Sequence, residues 1–441
     1  MSIVKTSWDT QASSPAVTAA SPISMTRAAF AATIGNMLEF YDFITYTFFA
    51  IQIGHTFFPT RSEYGSLMLS LATFGAGFVT RPIGGLVLGI YADRVGRRPA
   101  MLLTFALKGA VIVAISITPP YQTIGLAAPI IVIIARMLQG FALGGEVGPS
   151  TAYLLEIAAP DRRGLLMSAQ FASQQLAATL GALVGFILSR TMTTIALDSF
   201  GWRIAFLIGA IALPFGLWMR RTLPETIPQI ESGVARPPWW RHFTLARRHV
   251  RVIVLFLMIL GYGTTVTYVT KYMRTYAQNT LHVAPSLAFA TSLISNALQI
   301  MSAVLGGWLV DRAARKPLML AAQAVALILI YPTFLWVVEA PGAWSLLFGF
   351  GAFSLIATLP STGFIVTFAE ALPQQIRAGT FATTYALAIA GFGGTTQLIV
   401  TWLLHVSGNP LAPAWYLLLA AAIGLVAMAL LPETAPVKES K

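Results

Sequence analysis

Two carboxylates lie three residues apart in the stretch GNMLEFYDF, which runs from Gly35 to Phe43 inside a long apolar segment. These are Glu39 and Asp42, and an ionised carboxylate at the centre of a bilayer costs about 2.5–3.5 kcal/mol on insertion scales. Such groups persist where they pair with cations or where they take up and release protons. The spacing therefore points to one of two chemistries, proton transfer or ion pairing.

Basic side chains also occur within the apolar segments. The cations are Arg81, Lys108, Arg136 and Lys271, and Glu146 is a third acid. At 1.5 Å per residue, Glu39 and Arg81 lie at a similar height, about 18 Å from the predicted cytoplasmic side, and Arg136 lies about 12 residues into its segment, also near the middle of the membrane. Lys108 lies early in its segment and is interpreted as a snorkelling or packing residue. The cations outnumber the acids, which favours an anionic ligand.

Uncharged polar and aromatic side chains accompany these ions. The predicted ligand-binding residues are Asn36, Arg81, Arg136, Gln139, Tyr268, Lys271, Tyr272 and Asn296, and the predicted proton-coupling residues are Glu39, Asp42 and Glu146. On a helical wheel Asn36, Glu39 and Asp42 share one stripe, which must face protein or a water-filled cavity. Alternatives stay open: the acids can be structural partners of arginines, Lys271 can extend outward, and the tyrosines can be packing residues.

The composition indicates that helices in a bilayer position these residues. Hydrophobic residues make up 56% of the 441 residues, charged residues only 10%, and the mean hydropathy is +0.73. These values are typical of a polytopic membrane protein. The net charge of +12 lies in short clusters between apolar segments, so it predicts topology rather than nucleic-acid binding. The chain has no cysteine and its histidines are scattered, so we expect no metal and no cofactor.

Twelve apolar segments are each long enough to cross about 30 Å of hydrocarbon. They fall near residues 27–52, 64–91, 101–118, 124–155, 164–189, 203–221, 250–276, 285–310, 318–338, 343–369, 378–405 and 411–431. Most Lys and Arg residues lie in the alternate connections that include both ends, which predicts that both termini are cytoplasmic. The outer connections hold only Arg61, Arg190, Arg203 and Arg274. The sequence contains no nucleophile–base pair of the kind that would suggest an enzyme.

The chain contains an internal repeat. GIYADRVGRRP at 89–99 is echoed by GWLVDRAARKP at 307–317, and LPET at 223–226 recurs at 431–434. Parallel halves with a site between them near the midplane are one architecture of membrane transporters. We therefore predict an all-α membrane protein with twelve transmembrane helices in two six-helix lobes. The predicted organisation is a tail at 1–26, a lobe at 27–221, a linker at 222–249, a second lobe at 250–431 and a tail at 432–441.

The repeated loop and the first-helix motif resemble the major facilitator superfamily. Within it, GNMLEFYDF, TRPIGG at 80–85 and FFPTRSEYGSLMLSLATFGAGFVTRPIGG are similar to the metabolite–proton symporter family, and most of all to its bacterial citrate–proton symporters. The resemblance implies a secondary active transporter of a bacterial inner membrane that imports citrate or a related tricarboxylate with protons by alternating access. It implies a cytoplasmic gate formed by Asp93, Arg94, Arg97, Arg98, Asp311 and Arg315.

Other cargoes stay open at this point. Members of that family carry 2-oxoglutarate, dicarboxylates, or osmolytes such as proline and betaine, and the second half departs more from the pattern, notably in TYVTKYMRTY at 267–276. A non-transporting membrane sensor is the alternative of a different class. The membrane potential opposes import of a trianion by about 7 kcal/mol per 100 mV, so co-transported cations are required. We expect the partners to be a small carboxylate anion, protons (with sodium left open) and the lipid bilayer, and the protein to be monomeric.

Overall fold

A computed structural model describes residues 22–95, 97–144, 163–222, 247, 249–372 and 374–431, and every regular element in those ranges is helical. The principal helices are α1 (Pro22–Phe48), α2 (Ala50–Phe57), α3 (Glu63–Val79), α4 (Arg81–Val95), α5 (Arg97–Ile117), α6 (Ala127–Gly144), α7 (Arg163–Thr191), α8 (Trp202–Thr222), α9 (Val250–Asn279), α10 (Pro285–Val310), α11 (Arg315–Glu339), α12 (Phe350–Thr358), α13 (Ser361–Ala371), α14 (Gln374–Ala388), α15 (Gly394–Ser407) and α16 (Ala412–Leu430). Short π-helical segments at Leu197–Gly201, Ser345–Gly349 and Ile389–Gly393 lead into α8, α12 and α15.

These helices correspond to the predicted membrane-spanning segments. Ten helical stretches of the described residues are long and apolar enough to cross a membrane. The first and third predicted crossings correspond to α1 with α2 and to α5. The pairs α3–α4, α12–α13 and α14–α15 follow one another with short breaks or a π-helical segment, so each pair makes one crossing.

Each half of the chain builds its own apolar core. One buried cluster comes mainly from α1 to α8 and includes Phe43 and Trp202, and the other comes mainly from α9 to α16 and includes Phe256 and Phe350. Other large apolar side chains lie on the outside, such as Ile211, which is 77% exposed. This distribution is expected where the outer surface faces lipid rather than water.

Glycines let α3 and α4 lie directly against α6. A Cβ on Gly140 would lie 1.6 Å from the carbonyl oxygen of Gly77, and a Cβ on Gly84 would lie 1.9 Å from the carbonyl oxygen of Phe141. Small residues at helix interfaces in membranes allow this close approach of two backbones. The contact holds α4 and α6, which carry Arg81 and Arg136, in one fixed arrangement.

Replacing Gly140 with alanine is expected to destabilise the protein, because the new methyl group overlaps the backbone of α3 rather than a flexible side chain. Overpacking of this kind costs about 1–3 kcal/mol or more. Thermal unfolding of the purified protein should show a lower Tm. The matched control is Gly391→Ala, because no atom lies within 4 Å of that Cβ position. Equal Tm values for the two variants would contradict the described packing.

The two lobes meet along α7 and α10, which run antiparallel. At one end, a Cβ on Gly164 would lie 2.5 Å from the carbonyl oxygen of Gly307, and a Cβ on Gly307 would lie 2.6 Å from that of Gly164. Toward the other end, Gly185 lies directly against the ring of Phe289. Helices α3 and α15 also pack across the lobe boundary. The lobes therefore touch at both ends of the α7–α10 pair and enclose the polar residues between them.

Candidate functional site

The first cluster of ionic residues surrounds Asp42 of α1, whose side chain is only 2% exposed. Gln139 of α6 donates its amide N–H to Asp42 Oδ2, and Arg136 Nη1 donates to Gln139 Oε1. Lys108 of α5 and Arg136 both lie close enough to act electrostatically on the Asp42 carboxylate. The buried acid is thus compensated by two cations and one bridging amide, which offsets the cost of its burial.

Aromatic rings support the two arginines of this lobe. The Arg136 guanidinium lies 4.3 Å from the ring centroid of Tyr46 and 4.9 Å from that of Phe43. The Arg81 guanidinium lies 4.4 Å from the ring centroid of Phe78 and 4.6 Å from that of Phe43. Ring faces attract cations most strongly where water is excluded. The Nε and Nη2 atoms of both arginines have no hydrogen-bond partner among the described residues, so both can donate to a ligand.

Arg136→Gln is expected to lower the free energy of unfolding by about 3–5 kcal/mol, because it removes one partner of a buried charge pair and leaves the Asp42 carboxylate less compensated. Combining it with Asp42→Asn should restore most of that loss, since both charges are then absent. Thermal or denaturant unfolding of the wild type, both single variants and the double variant measures the coupling. A double variant no more stable than Arg136→Gln would show that the two residues are not coupled.

Tyr268 of α9 brings the second lobe into contact with this aromatic cluster. Its ring centroid lies 5.4 Å from that of Phe78 and 6.0 Å from that of Phe74. The π-helical segment Ile389–Gly393 ends at the same place, where a Cβ on Gly393 would lie 2.9 Å from the Tyr268 ring. Segments of π-helix inside α-helices are frequent at functional sites. Arg81, which stacks on Phe78, therefore lies at the boundary between the lobes.

The second cluster surrounds Lys271, one turn further along α9. Its Nζ donates to Gln175 Oε1 at 2.8 Å and to Asn296 Oδ1 at 3.2 Å, and the side chain is 5% exposed. Both partners are neutral amides, one from α7 and one from α10. They orient the ammonium group without neutralising it, so this buried cation gains much from an approaching anion.

The remaining predicted ligand-binding residues lie near these clusters and make their own contacts. Asn36 donates to the carbonyl oxygen of Gln170 at 3.1 Å and to Ser173 Oγ at 2.7 Å, which ties α1 to α7. Tyr272 accepts a hydrogen bond from Thr401 Oγ1 at 2.8 Å. Asn36 therefore joins α1 to α7 within the N-terminal lobe, and Tyr272 joins α9 to α15.

Several predicted residues fall outside what the structure describes. For Glu39 only the backbone within α1 is described, and Glu146 lies outside the described residues. The side chains of four predicted gate residues are likewise not described, namely Asp93, Arg94, Arg97 and Arg98. Their roles stay predictions.

Asp311, a further predicted gate residue, joins the two lobes. Its carboxylate accepts hydrogen bonds from the backbone N–H groups of Gly164 at 2.7 Å and Leu165 at 2.8 Å, at the start of α7. A carboxylate is stabilised at a helix N-terminus, where backbone N–H groups are otherwise unpaired. Arg315, at the start of α11, is 2% exposed. The contact lies at the predicted cytoplasmic end of the bundle.

The burial of Lys108 decides between its two sequence-based interpretations, snorkelling and packing, in favour of packing. Lys108 is 2% exposed and acts on Asp42 rather than extending to a surface. The reason is that α5 begins at Arg97, before the predicted segment, which places Lys108 about 16 Å along the helix. Counting the helix rise from Arg97, where α5 begins, predicts this buried position of Lys108.

Arg274 belongs to the interior, although the charge pattern assigns it to an outer connection. It is 0% exposed because α9 continues to Asn279, and its Nη2 donates to Gln52 Oε1 at 3.1 Å. Gln52 in turn donates to Asp198 Oδ1 at 2.9 Å. No sequence signal separates this arginine from an ordinary charge at the end of a span.

The helical bundle and its enclosed ionic site together define a multi-pass membrane transporter. The chain belongs to the Major Facilitator Superfamily, whose family model matches residues 32–390. The predicted fold of twelve transmembrane helices in two lobes is thereby confirmed, as is the expectation of a transporter rather than an enzyme.

Individual proteins resemble the chain over nearly its whole length. It is 36% identical over 400 residues to a citrate–proton symporter of Salmonella typhi, with 90% of this chain and 92% of that protein covered. It is 32% identical over 409 residues to the alpha-ketoglutarate permease of Escherichia coli strain K12, with 90% and 91% covered. A crystal structure of a D-xylose–proton symporter matches with a TM-score of 0.73 at 21% identity, covering 94% of this chain and 99% of that one. That last likeness shows the fold alone.

Proposed function

We propose that this protein imports citrate or a related tricarboxylate together with protons, by alternating access to one central site. The charge of the enclosed site carries the proposal. Among the described side chains buried within the spans, the acid Asp42 is outnumbered by the cations Arg81, Lys108, Arg136, Lys271 and Arg274. A surplus of buried positive charge attracts a polyanion and disfavours a cation or a zwitterion such as betaine.

Two relatives support carboxylate cargoes of different size. The likeness to a citrate–proton symporter over most of both chains favours a tricarboxylate. The likeness to an alpha-ketoglutarate permease favours a second candidate, a dicarboxylate. The first candidate uses more of the buried positive charge, because each further carboxylate can pair with another cation. A membrane sensor without transport has no comparable support.

Proton coupling is assigned to Asp42, with Glu39 and Glu146 as further candidates. Protonation of Asp42 removes the negative charge that engages Gln139, and through it Arg136, so the Arg136 guanidinium can bind a carboxylate of the cargo. Release of the proton on the other side restores the pairing and favours release of the cargo. Because the potential opposes a trianion by about 7 kcal/mol per 100 mV, import requires co-transported cations, and three protons would balance the charge of the cargo.

The cargo carboxylates are assigned to the positive groups that face the lobe boundary. The binding residues are Arg81, Arg136 and Lys271, with Asn36, Gln139, Tyr268, Tyr272 and Asn296 around them. The gate at the cytoplasmic end comprises Asp93, Arg94, Arg97 and Arg98 with Asp311 and Arg315. We place both termini in the cytoplasm of a bacterial cell, the bundle in the inner membrane, and the protein there as a monomer that uses protons rather than sodium.

Uptake of labelled citrate into proteoliposomes with an imposed pH gradient tests the proposal. Citrate should accumulate only with the exterior acidic, and unlabelled tricarballylate should compete better than 2-oxoglutarate, with betaine ineffective. A sodium gradient without a pH gradient should drive no uptake. Stronger competition by 2-oxoglutarate would assign the second candidate, and competition by betaine would contradict an anionic cargo.

A further inference from the structure

Arg274 is a fully buried cation whose hydrogen bonds are incomplete. Its Nη2 donates to the neutral amide of Gln52, while Nε and Nη1 have no partner in the described part of the chain. The guanidinium lies 4.5 Å from the ring centroid of Phe289 and 5.9 Å from that of Phe49. Asp198 acts on it electrostatically, but that carboxylate hydrogen-bonds to Gln52 instead. Two nitrogen atoms of a buried charge are therefore left for an acceptor that the described residues do not supply.

A polar face of α10 is also unpaired. It consists of Ser292, Ser295, Asn296 and Gln299, which are all at most 3% exposed and which follow the helical spacing i, i+3, i+4, i+7. The two serine hydroxyls, Asn296 Nδ2 and Gln299 Oε1 have no hydrogen-bond partner among the described residues. Leaving such a group unpaired in an interior is unfavourable, so isolated cases are uncommon. Several on one face of one helix indicate a space that a polar ligand fills.

This face and the cations of α9 lie opposite each other. Asn296 contacts Lys271, and Phe289, two turns away on α10, contacts Arg274. Because α9 and α10 run in opposite directions, Ser292 lies at the level between the two cations. The unpaired polar atoms of α10 and the two cations of α9 thus lie where the same two helices meet.

Helix α9 also arranges the positive groups in order. Tyr268 packs beside Phe78, on which Arg81 stacks, and Lys271 and Arg274 follow at three-residue intervals. Residues three apart on a helix share a face and are separated by about 4.5 Å along the axis. Lys271 and Arg274 therefore follow each other on one face of α9, and Arg81 of α4 lies beyond Phe78 at the Tyr268 end of that face.

We infer that Arg274, together with the polar face of α10, forms a carboxylate subsite that selects a tricarboxylate over a dicarboxylate. This inference rests on the proposed function. Arg81 and Arg136 together bind one carboxylate of the cargo, Lys271 binds a second, and Arg274 Nε and Nη1 bind the third. The hydroxyls of Ser292 and Ser295 and Asn296 Nδ2 donate to the bound anion, and Gln299 Oε1 accepts a hydrogen bond from a hydroxyl group of the cargo.

Binding of citrate, tricarballylate and 2-oxoglutarate to the purified full-length protein in nanodiscs, followed by calorimetry, tests this subsite. Arg274→Gln should raise the Kd for both tricarboxylates about 10- to 100-fold, since a charged hydrogen-bond pair is lost. The same substitution should change the Kd for 2-oxoglutarate by less than about threefold. Arg274→Lys should recover part of the tricarboxylate affinity because it keeps the charge. Arg61→Gln, an exposed arginine, is the matched control.

A purely structural role for Arg274 predicts a different pattern. Arg274 also links the lobes through Gln52, so loss of that link would weaken all three ligands equally, and Gln52→Ala would reproduce it. That pattern would overturn the inference. If Arg274→Gln does not yield folded protein, the variant Ser292→Ala/Ser295→Ala takes its place and should lower the same preference for tricarboxylates. A wild-type protein that binds no tricarboxylate would overturn the proposed function as well, whereas normal wild-type binding with an unchanged preference overturns only the subsite.

Discussion

Replacing Asp42 with asparagine is expected to lower the accumulation of citrate against its gradient about tenfold per unit of pH gradient, while preserving exchange of internal for external citrate. Asparagine is close in shape to a protonated aspartate and can keep a hydrogen bond to Gln139, but it cannot release a proton. A gradient of one pH unit supplies about a tenfold accumulation per coupled proton, so losing one proton lowers the steady-state level about tenfold per pH unit. Labelled uptake with a pH gradient and counterflow without one, in the same proteoliposomes, separate the two activities.

The control for that experiment is Glu339→Gln, which neutralises an exposed acid at the end of α11. It should accumulate citrate as the wild type does. If Asp42→Asn also accumulated citrate normally, Asp42 would not be the coupled carboxylate, and the role would pass to Glu39 or Glu146. If it lost counterflow as well, Asp42 would be needed for binding rather than for coupling.

Lys271→Gln is expected to raise the Kd for citrate about 100-fold while leaving the protein as stable as the wild type or more so. The ammonium contacts two neutral amides, so its removal leaves no opposite charge uncompensated and relieves the cost of burying a cation. A ligand carboxylate, in contrast, loses a desolvated charge pair worth about 2–5 kcal/mol. Calorimetric binding and thermal unfolding of the same preparation measure both effects.

The sign of the stability change distinguishes Lys271 from Arg136. Loss of Arg136 leaves Asp42 with only one of its two compensating cations, Lys108, whereas loss of Lys271 removes no partner from a buried acid. The matched control is Lys316→Gln, a lysine outside the central site whose Nζ donates to the carbonyl oxygen of Leu431. A marked fall in Tm for Lys271→Gln with unchanged citrate affinity would show that Lys271 is a structural residue.

The membrane architecture could be predicted because the physics of lipid constrains it strongly. Segment length and apolar composition predict the spans, and α10 coincides with the predicted segment at both ends, Pro285 and Val310. The helix rise also predicts that Arg81 and Arg136 lie well inside their segments, and the structure brings both guanidinium groups to the ring of Phe43. The sequence therefore predicts how far along its helix each residue lies.

The contacts of these residues were less predictable, because depth does not say which neighbour a side chain meets. Gln139 is a predicted ligand-binding residue, yet it bridges Asp42 and Arg136. Gln175 is an uncharged residue of α7 that orients Lys271 from the opposite lobe. Such partners depend on the rotation of each helix about its axis and on the packing of the lobes, and one sequence carries little information on either.

The interlocked glycines of α3, α4 and α6 have a consequence for the transport cycle. Carbonyl oxygens of Gly77 and Arg81 fill the places where Gly140 and Gly144 lack side chains, so the two backbones mesh and cannot slide along each other. We therefore expect the separation of Arg81 and Arg136 to stay the same during transport, while their distances to groups on α9 and α10 change. We expect cargo to be bound or released as the distance between the two lobes changes, while each lobe keeps its own binding residues in place.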